Sequence, residues 1–182
     1  MDSRELLESQ RLIFRELNVG DVTQEYVDWL NDPEINQYLE TRFMIQDIKS
    51  VKCFVESMLK SSENILFGVF EKQSGKHIGN IKLGPISLQH SRATIGLMVG
   101  EKTCWGRGYA TEMIKAVSKY AFISLGLNKV DAGCYEENLG SKKAFLKSGY
   151  QVEGVLREHA QVDGRRQDCF VMGLLKSESA DG

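Results

Sequence analysis

From Ala93 the chain reads "ATIGLMVG", a strand pattern; "CWGRGYATEM" follows, and a helical period then runs to about Leu125. This junction restricts the fold more than any other stretch. Gly106 and Gly108, alternating between a strand and a helix, mean that the backbone bends tightly there or that something must approach it closely. Ala110, Met113, Ile114, Val117 and Ala121 supply the helix's apolar stripe, and Glu112 lies in its first turn, where the helix dipole favours negative charge. Free amides at such a helix start form an anion site.

Several readings compete for this loop. A Walker A loop needs Gly-Lys-Ser/Thr, and Gly108 is followed by Tyr109 and Ala110, so that reading fails. A dinucleotide fingerprint starting at Gly106 and Gly108 meets Thr111 where its third glycine belongs, and Asp131 falls early in its strand. A pyrophosphate site with a wider loop remains, beside a tight turn that holds nothing.

Around the junction the pattern alternates between periods. "RLIFREL" reads as a first strand, Val22 to Leu39 as helical with a break at "NDP", and Ile45 to Leu59 as an amphipathic helix. "NILFGVFEKQSGKHIGNIKLG" reads as a hairpin, with a loop at Pro85 before the "ATIGLMVG" strand. "KVDAGCYEEN" reads as a strand, "LGSKKAFLKSG" as a helix, and the remainder as two strands around "VDGRR". The expected architecture is α+β (mixed α/β): a mostly antiparallel twisted sheet of about seven strands, flanked by helices. Residues 1–176 form one domain in this reading, and 177–182 a disordered tail.

The bulk composition excludes several classes. A net charge of −2 over 182 residues carries no nucleic-acid footprint. Cys53, Cys104, Cys134 and Cys169 form no C-x-x-C pair, and His77, His90 and His159 show no metal-ligand spacing, so reduced thiols and no metal are expected. No segment is apolar over a membrane-spanning length, and the charged start lacks a signal-peptide run. A cytoplasmic protein without membrane or nucleic-acid partners follows, as a monomer or homodimer.

The second half adds "ENLGSKKAFLKSGY", with Asn138 at a strand end, Ser141 three residues on, and Gly149-Tyr150 after a short helix. Together with strand–"WGRGYA"–helix, this resembles the GNAT superfamily of acetyl-CoA-dependent N-acyltransferases, whose loop is Gln/Arg-x-x-Gly-x-Gly/Ala. Gly108 and Ala110 match that loop; Trp105 stands where Gln or Arg is commoner. "RLIFREL", "WLNDPEI", "WGRGYATE", "GLNKVDAGCYEENLGSKKAFLKSGY" and "EGVLRE" together look like the ribosomal-protein N-acetyltransferase (RimJ/RimL-like) branch over nearly the whole chain.

The resemblance implies acetyl-CoA as cosubstrate and a single domain in which two strands splay apart at its site. The CoA pyrophosphate would lie against the backbone of Trp105, Gly106, Arg107, Gly108, Tyr109, Ala110 and Thr111. Pantetheine would pair with "GLMVG", which includes Met98, and the Val99 amide would polarise the thioester carbonyl. Asn138 would bind CoA amides, although an N-cap is equally good physics for it. The implied reaction is direct attack by a neutral primary amine on the thioester.

The tyrosine that many members place seven residues after the Asn is Phe145 here. Ser141 is therefore the first candidate for protonating the thiolate, Tyr135 a weaker one, and Glu136 a candidate base. His90 lies in a loop where an acceptor could bind, and Cys134 lacks a neighbour that would activate it.

The acceptor is a small-molecule amine, an amino sugar or a protein N-terminus. Acidic residues from Glu16 to Asp47, with Arg42 the lone base, would attract a cationic amine. Arg42, Lys82 and Arg92 could instead meet the phosphates of an amino-sugar nucleotide. Phe145 also leaves room for a non-catalytic acyl-CoA-binding module.

Overall fold

In the computed structural model, residues 7–179 are described. The alternation of apolar positions builds an eight-stranded sheet in the order β1-β2-β3-β4-β5-β6-β8-β7. Its strands are β1 (Leu7–Glu8), β2 (Leu12–Glu16), β3 (Ile65–Glu71), β4 (His77–Ser87), β5 (Arg92–Val99), β6 (Lys129–Tyr135), β7 (Gln151–Val162) and β8 (Arg165–Leu175). The two-residue β1 raises the count above the seven expected; it is too short to carry a periodic signal. Lys176–Glu178 forms a 3-10 turn, with the Glu178 carboxylate accepting from Leu175 N at 3.0 Å and Gln151 Nε2 at 2.8 Å. The remainder of the expected tail, residues 180–182, lies outside the described residues.

Five helices accompany the sheet: α1 (Gln24–Asn31), α2 (Pro33–Asn36), α3 (Ile48–Leu59), α4 (Tyr109–Ile123) and α5 (Leu139–Lys147). Local chemistry sets their limits. Thr23 caps α1, and Asp32 both ends α1 and caps α2, with Pro33 in the first turn. Asp47 caps α3 in a capping box, so that helix starts later than Ile45, which stays exposed. Pro85 is not in a loop as expected: β4 runs through it, and the register shift between Leu83 and Ile86 lets the ladder pass a residue without an N–H.

The period-2 strands divide the core between two faces. Phe14, Phe67, Ile81 and Ile95 pack with Met113, Val117 and Phe122 of α4. Leu17, Leu66 and Met98 pack on the other face with Tyr26, Trp29, Val51 and Val55 of α1 and α3. Within the second layer the His77 ring stacks on Phe70 at 4.9 Å and meets Trp29 at 5.1 Å. His77 Nε2 lies 2.9 Å from Asn80 Oδ1 and 3.0 Å from the Gly79 carbonyl, so it carries the proton.

Burial pushes the His77 pKa below its ordinary value. The unfolded chain therefore binds a proton here at a higher pH than the folded one. Stability contributed by neutral His77 is complete above about pH 6.5 and declines as pH falls toward the lowered folded value. Urea melts at pH 7.5 and 5.5 are expected to show this loss, and a His77→Gln variant to show a smaller one.

Among the described residues only β5 and β6 pair in parallel, over Arg92–Lys129, Ala93–Val130 and Thr94–Asp131. Beyond Thr94 the two strands continue without a ladder between them. The sheet is thus open between the ends of β5 and β6, and the site forms in that opening.

Candidate active site

A cavity of about 830 Å³ occupies the gap between β5 and β6. The loop of the strand-to-helix junction forms part of its wall. Gly106 has φ +72° and Gly108, which precedes α4, has φ +80°. Both are left-handed, so glycine is needed there for the bend itself. A Cβ on Gly106 would meet nothing within 4 Å, and one on Gly108 only Arg11 Nη2 at 3.8 Å.

The first α4 hydrogen bond outside its interior runs from Glu112 N to Gly108 O at 3.1 Å. Tyr109, Ala110 and Thr111 therefore present first-turn amides without helical acceptors, and all three residues line the cavity. The bend and the open helix start are one structure.

A network absent from the local sequence signal fixes this loop. Arg11 Nη1 donates to the Arg107 carbonyl at 3.1 Å, while its Nε donates to Glu112 at 2.7 Å. The same guanidinium stacks 4.0 Å above the Tyr109 ring, whose hydroxyl donates to Glu71. The buried Tyr109 side chain is thus held between Arg11 and Glu71. Glu112, read from the sequence as a dipole partner, also ties β2 to α4. Trp105 adds a bond from Nε1 to the Val99 carbonyl at 2.8 Å, joining the loop to the end of β5.

Met98, Val99, Trp105, Gly106, Gly108, Tyr109, Ala110 and Thr111 share the cavity with Tyr135, Asn138 and Ser141. Arg107 and Glu136 do not line it: Arg107 Nη1 turns back to the Thr103 carbonyl at 3.5 Å, and Glu136 is exposed at the end of β6. His90 is also outside the cavity.

Asn138 Oδ1 accepts from Ser141 N at 3.1 Å and so caps α5. Its Nδ2 has no hydrogen-bond partner among the described residues. Capping and ligand binding are therefore compatible, because they use different atoms. Phe145 is fully buried, packed edge-on against Tyr150 at 5.0 Å. The Tyr150 hydroxyl is bonded to Ser118 at 2.8 Å, and burial drives its pKa up. Tyr150 therefore does not replace the tyrosine missing at 145. Burial likewise raises the Cys134 thiol, whose Sγ contacts Met172 Sδ at 3.8 Å, so the thiolate form is disfavoured at neutral pH.

The opposite wall comes from α2 and the segment that follows it to Glu40, within the acidic stretch expected to attract a cationic amine. Glu34, Tyr38 and Glu40 line the cavity there. Arg42 is directed inward, its side chain only 11% exposed, and donates to the Leu39 carbonyl at 2.7 Å and the Gln161 carbonyl at 3.0 Å. Its donors are taken up internally, so it is not the open phosphate binder considered from sequence. Lys82 and Arg92 do not line the cavity, and Arg92 pairs with Asp131 at 3.4 Å. Part of the acidic run is also paired: Asp21 with Arg15, Glu25 with Lys76, Asp32 and Glu34 both with Lys102, and Glu40 lies 3.5 Å from Arg42.

Comparison with known proteins places this sheet, opened between parallel strands beside a glycine loop and a helix, among the acetyltransferases. The GNAT acetyltransferase domain model matches residues 11–151, and the chain belongs to that family. It is 33% identical to the uncharacterised N-acetyltransferase p20 of Bacillus licheniformis, over 97% of this chain and 99% of that protein. Identity to the uncharacterised N-acetyltransferase YoaA of Bacillus subtilis (strain 168) is 30%, over 94% and 97% of the two chains.

The fold superposes on spermidine N-acetyltransferase from Vibrio cholerae, solved with CoA and spermine, with a TM-score of 0.83. That match has 24% identity and covers 93% of this chain and 98% of the other. The protein is an N-acetyltransferase. These relatives do not favour a non-catalytic acyl-CoA-binding module.

Proposed function

We propose that the cavity binds acetyl-CoA and a cationic primary amine together and transfers the acetyl group directly between them. The carrying observation is the charge asymmetry of the cavity. Lys143 and Lys147 line it from α5, and the Ser148 hydroxyl donates to the Thr111 carbonyl at 3.3 Å, which sets that end of α5 beside the glycine loop. Cations and free amides thus gather where a pyrophosphate would sit, while the acceptor wall carries the exposed Glu40 carboxylate and Glu34, which shares Lys102 with Asp32. Val99 N–H at the open end of β5 supplies the carbonyl-polarising donor, and Asn138 Nδ2 a donor for pantetheine.

A small polycationic amine suits this wall better than an amino-sugar nucleotide, because the bases proposed for its phosphates are paired or outside the cavity. The structural neighbour solved with spermine supports the same direction. The ordered motifs keep the RimJ/RimL-like branch, and with it a protein N-terminus, as the second acceptor class. Buried, unpaired Cys104, Cys134 and Cys169 suit a reducing cytoplasm.

Free-thiol release from acetyl-CoA tests the reading, with spermidine, 1,4-diaminobutane, glucosamine and an unblocked tripeptide as acceptors. Release is expected with the polyamines. Acetyl-CoA binding without release on any of the four would overturn it.

The Ser141 hydroxyl has no partner among the described residues and faces the same cavity, which fits it to protonate the departing thiolate. Ser141→Ala should lower kcat by about tenfold to a hundredfold while leaving acetyl-CoA affinity nearly unchanged. Unchanged kcat would remove Ser141 from this role.

A further inference from the structure

The acceptor ammonium must lose a proton before it attacks, and the candidate base read from sequence, Glu136, does not line the cavity. We propose that Tyr135 is a catalytic residue that passes a proton from the acceptor ammonium to Glu40, which discharges it to solvent; this rests on the amine-binding reading above.

Tyr135 is the last residue of β6, at the open end of the sheet, and lines the cavity. Its hydroxyl donates to Glu40 Oε1 and accepts from Arg42 Nη1 at 3.2 Å. The two partners differ in what they can do. Arg42 is enclosed, its side chain 11% exposed, and holds the phenol in place. Glu40 has a side chain 79% exposed, so it can both take a proton and lose it to water. The phenol oxygen keeps a lone pair for an incoming N–H. The path therefore has an inner end at the cavity and an outer end in solvent.

The proton balance closes. One ammonium proton passes to Tyr135 Oη as the phenolic proton passes to Glu40, which becomes a carboxylic acid. The nitrogen lone pair then forms the N–C bond, the C–S bond breaks, and its electron pair leaves on sulfur. The thiolate takes its proton from the Ser141 hydroxyl, which regains one from the second proton shed by the nitrogen; the third stays on the amide, and Glu40 returns its proton to water. Burial and the bond to Glu40 raise the Tyr135 pKa, so the phenol enters the cycle protonated. Other titratable or charged groups near it are Tyr38, 5.7 Å away ring to ring, Cys169 opposite it on β8, and His159 on the cavity wall.

The test compares Tyr135→Phe and Glu40→Gln with wild type by thiol release from acetyl-CoA with 1,4-diaminobutane, across pH 5.5 to 9.5. Tyr135→Phe is expected to lower kcat about a hundredfold with the acetyl-CoA KM unchanged. Glu40→Gln keeps an acceptor for the phenol but cannot take its proton. It should lower kcat by about tenfold or more and remove the acid-side decline of kcat.

Wild-type kcat in Tyr135→Phe, or an intact acid-side decline in Glu40→Gln, would overturn the relay while leaving the amine reading in place. Should wild type bind acetyl-CoA and release no thiol with 1,4-diaminobutane, spermidine or an unblocked tripeptide, the amine reading falls and the relay with it.

Discussion

Gly79→Ala is expected to lower kcat/KM more than a hundredfold and to destabilise the fold by about 2 kcal/mol. Gly79 pairs with Val99 at the end of the β4–β5 ladder. A Cβ there would overlap the Met98 carbonyl oxygen and lie 3.0 Å from Val99 Cα. Both obstacles are backbone, so no rotamer change relieves them, and the end of β5 must move away. That end carries the Val99 N–H, and its carbonyl holds Trp105 and with it the glycine loop. A displacement of about 1 Å thus reaches the proposed carbonyl donor and the proposed pyrophosphate site together.

Gly154→Ala supplies the contrast, since its Cβ would meet nothing within 4 Å. Thermal melts and thiol-release kinetics on both variants check the expectation. Equal behaviour of the two would show that β5 does not need this close approach.

Arg42→Ala should cost about 2 kcal/mol of stability and raise the acceptor KM at least tenfold, with the acetyl-CoA KM little changed. The guanidinium bridges the Leu39 and Gln161 carbonyls and the Tyr135 hydroxyl, and stacks 4.2 Å from the Phe43 ring. Alanine leaves three acceptors without their donor and releases the turn that carries Glu40. Arg42→Lys should rescue little, because one ammonium cannot span three acceptors arranged for a planar fork. Denaturant melts and steady-state kinetics with the amine varied give both readouts. A wild-type acceptor KM in Arg42→Ala would separate the turn from the acceptor site.

Much of this could be read locally. The stripe Val22, Tyr26, Trp29 and Leu30 is buried as its spacing predicts, although Val22 lies before α1, and α4 follows the period read from Ala110 to Ala121. Helix caps and left-handed glycines are likewise local, because the forces behind them act within a few residues. Local signals were weaker where a partner lay far away in sequence. Nothing around Arg11 announces that it will hold the Arg107 carbonyl, and nothing near Glu40 announces Tyr135. Both bonds span about half of the chain or more and exist only after β2 meets α4, or after the 40–43 turn meets β6.

The sequence by itself determined the alternation of strands and helices, the glycine bend into α4, the Asn138 cap and the family. These depend on backbone geometry and on the order of residues within short segments. Tertiary structure decided which polar groups face the cavity: it withdrew Arg42 into internal bonds, left Arg107 and Glu136 outside and brought Glu40 to Tyr135. The physical reason is competition. A charged side chain bonds whichever complementary group the fold brings within about 3 Å, and a linear reading does not contain that distance.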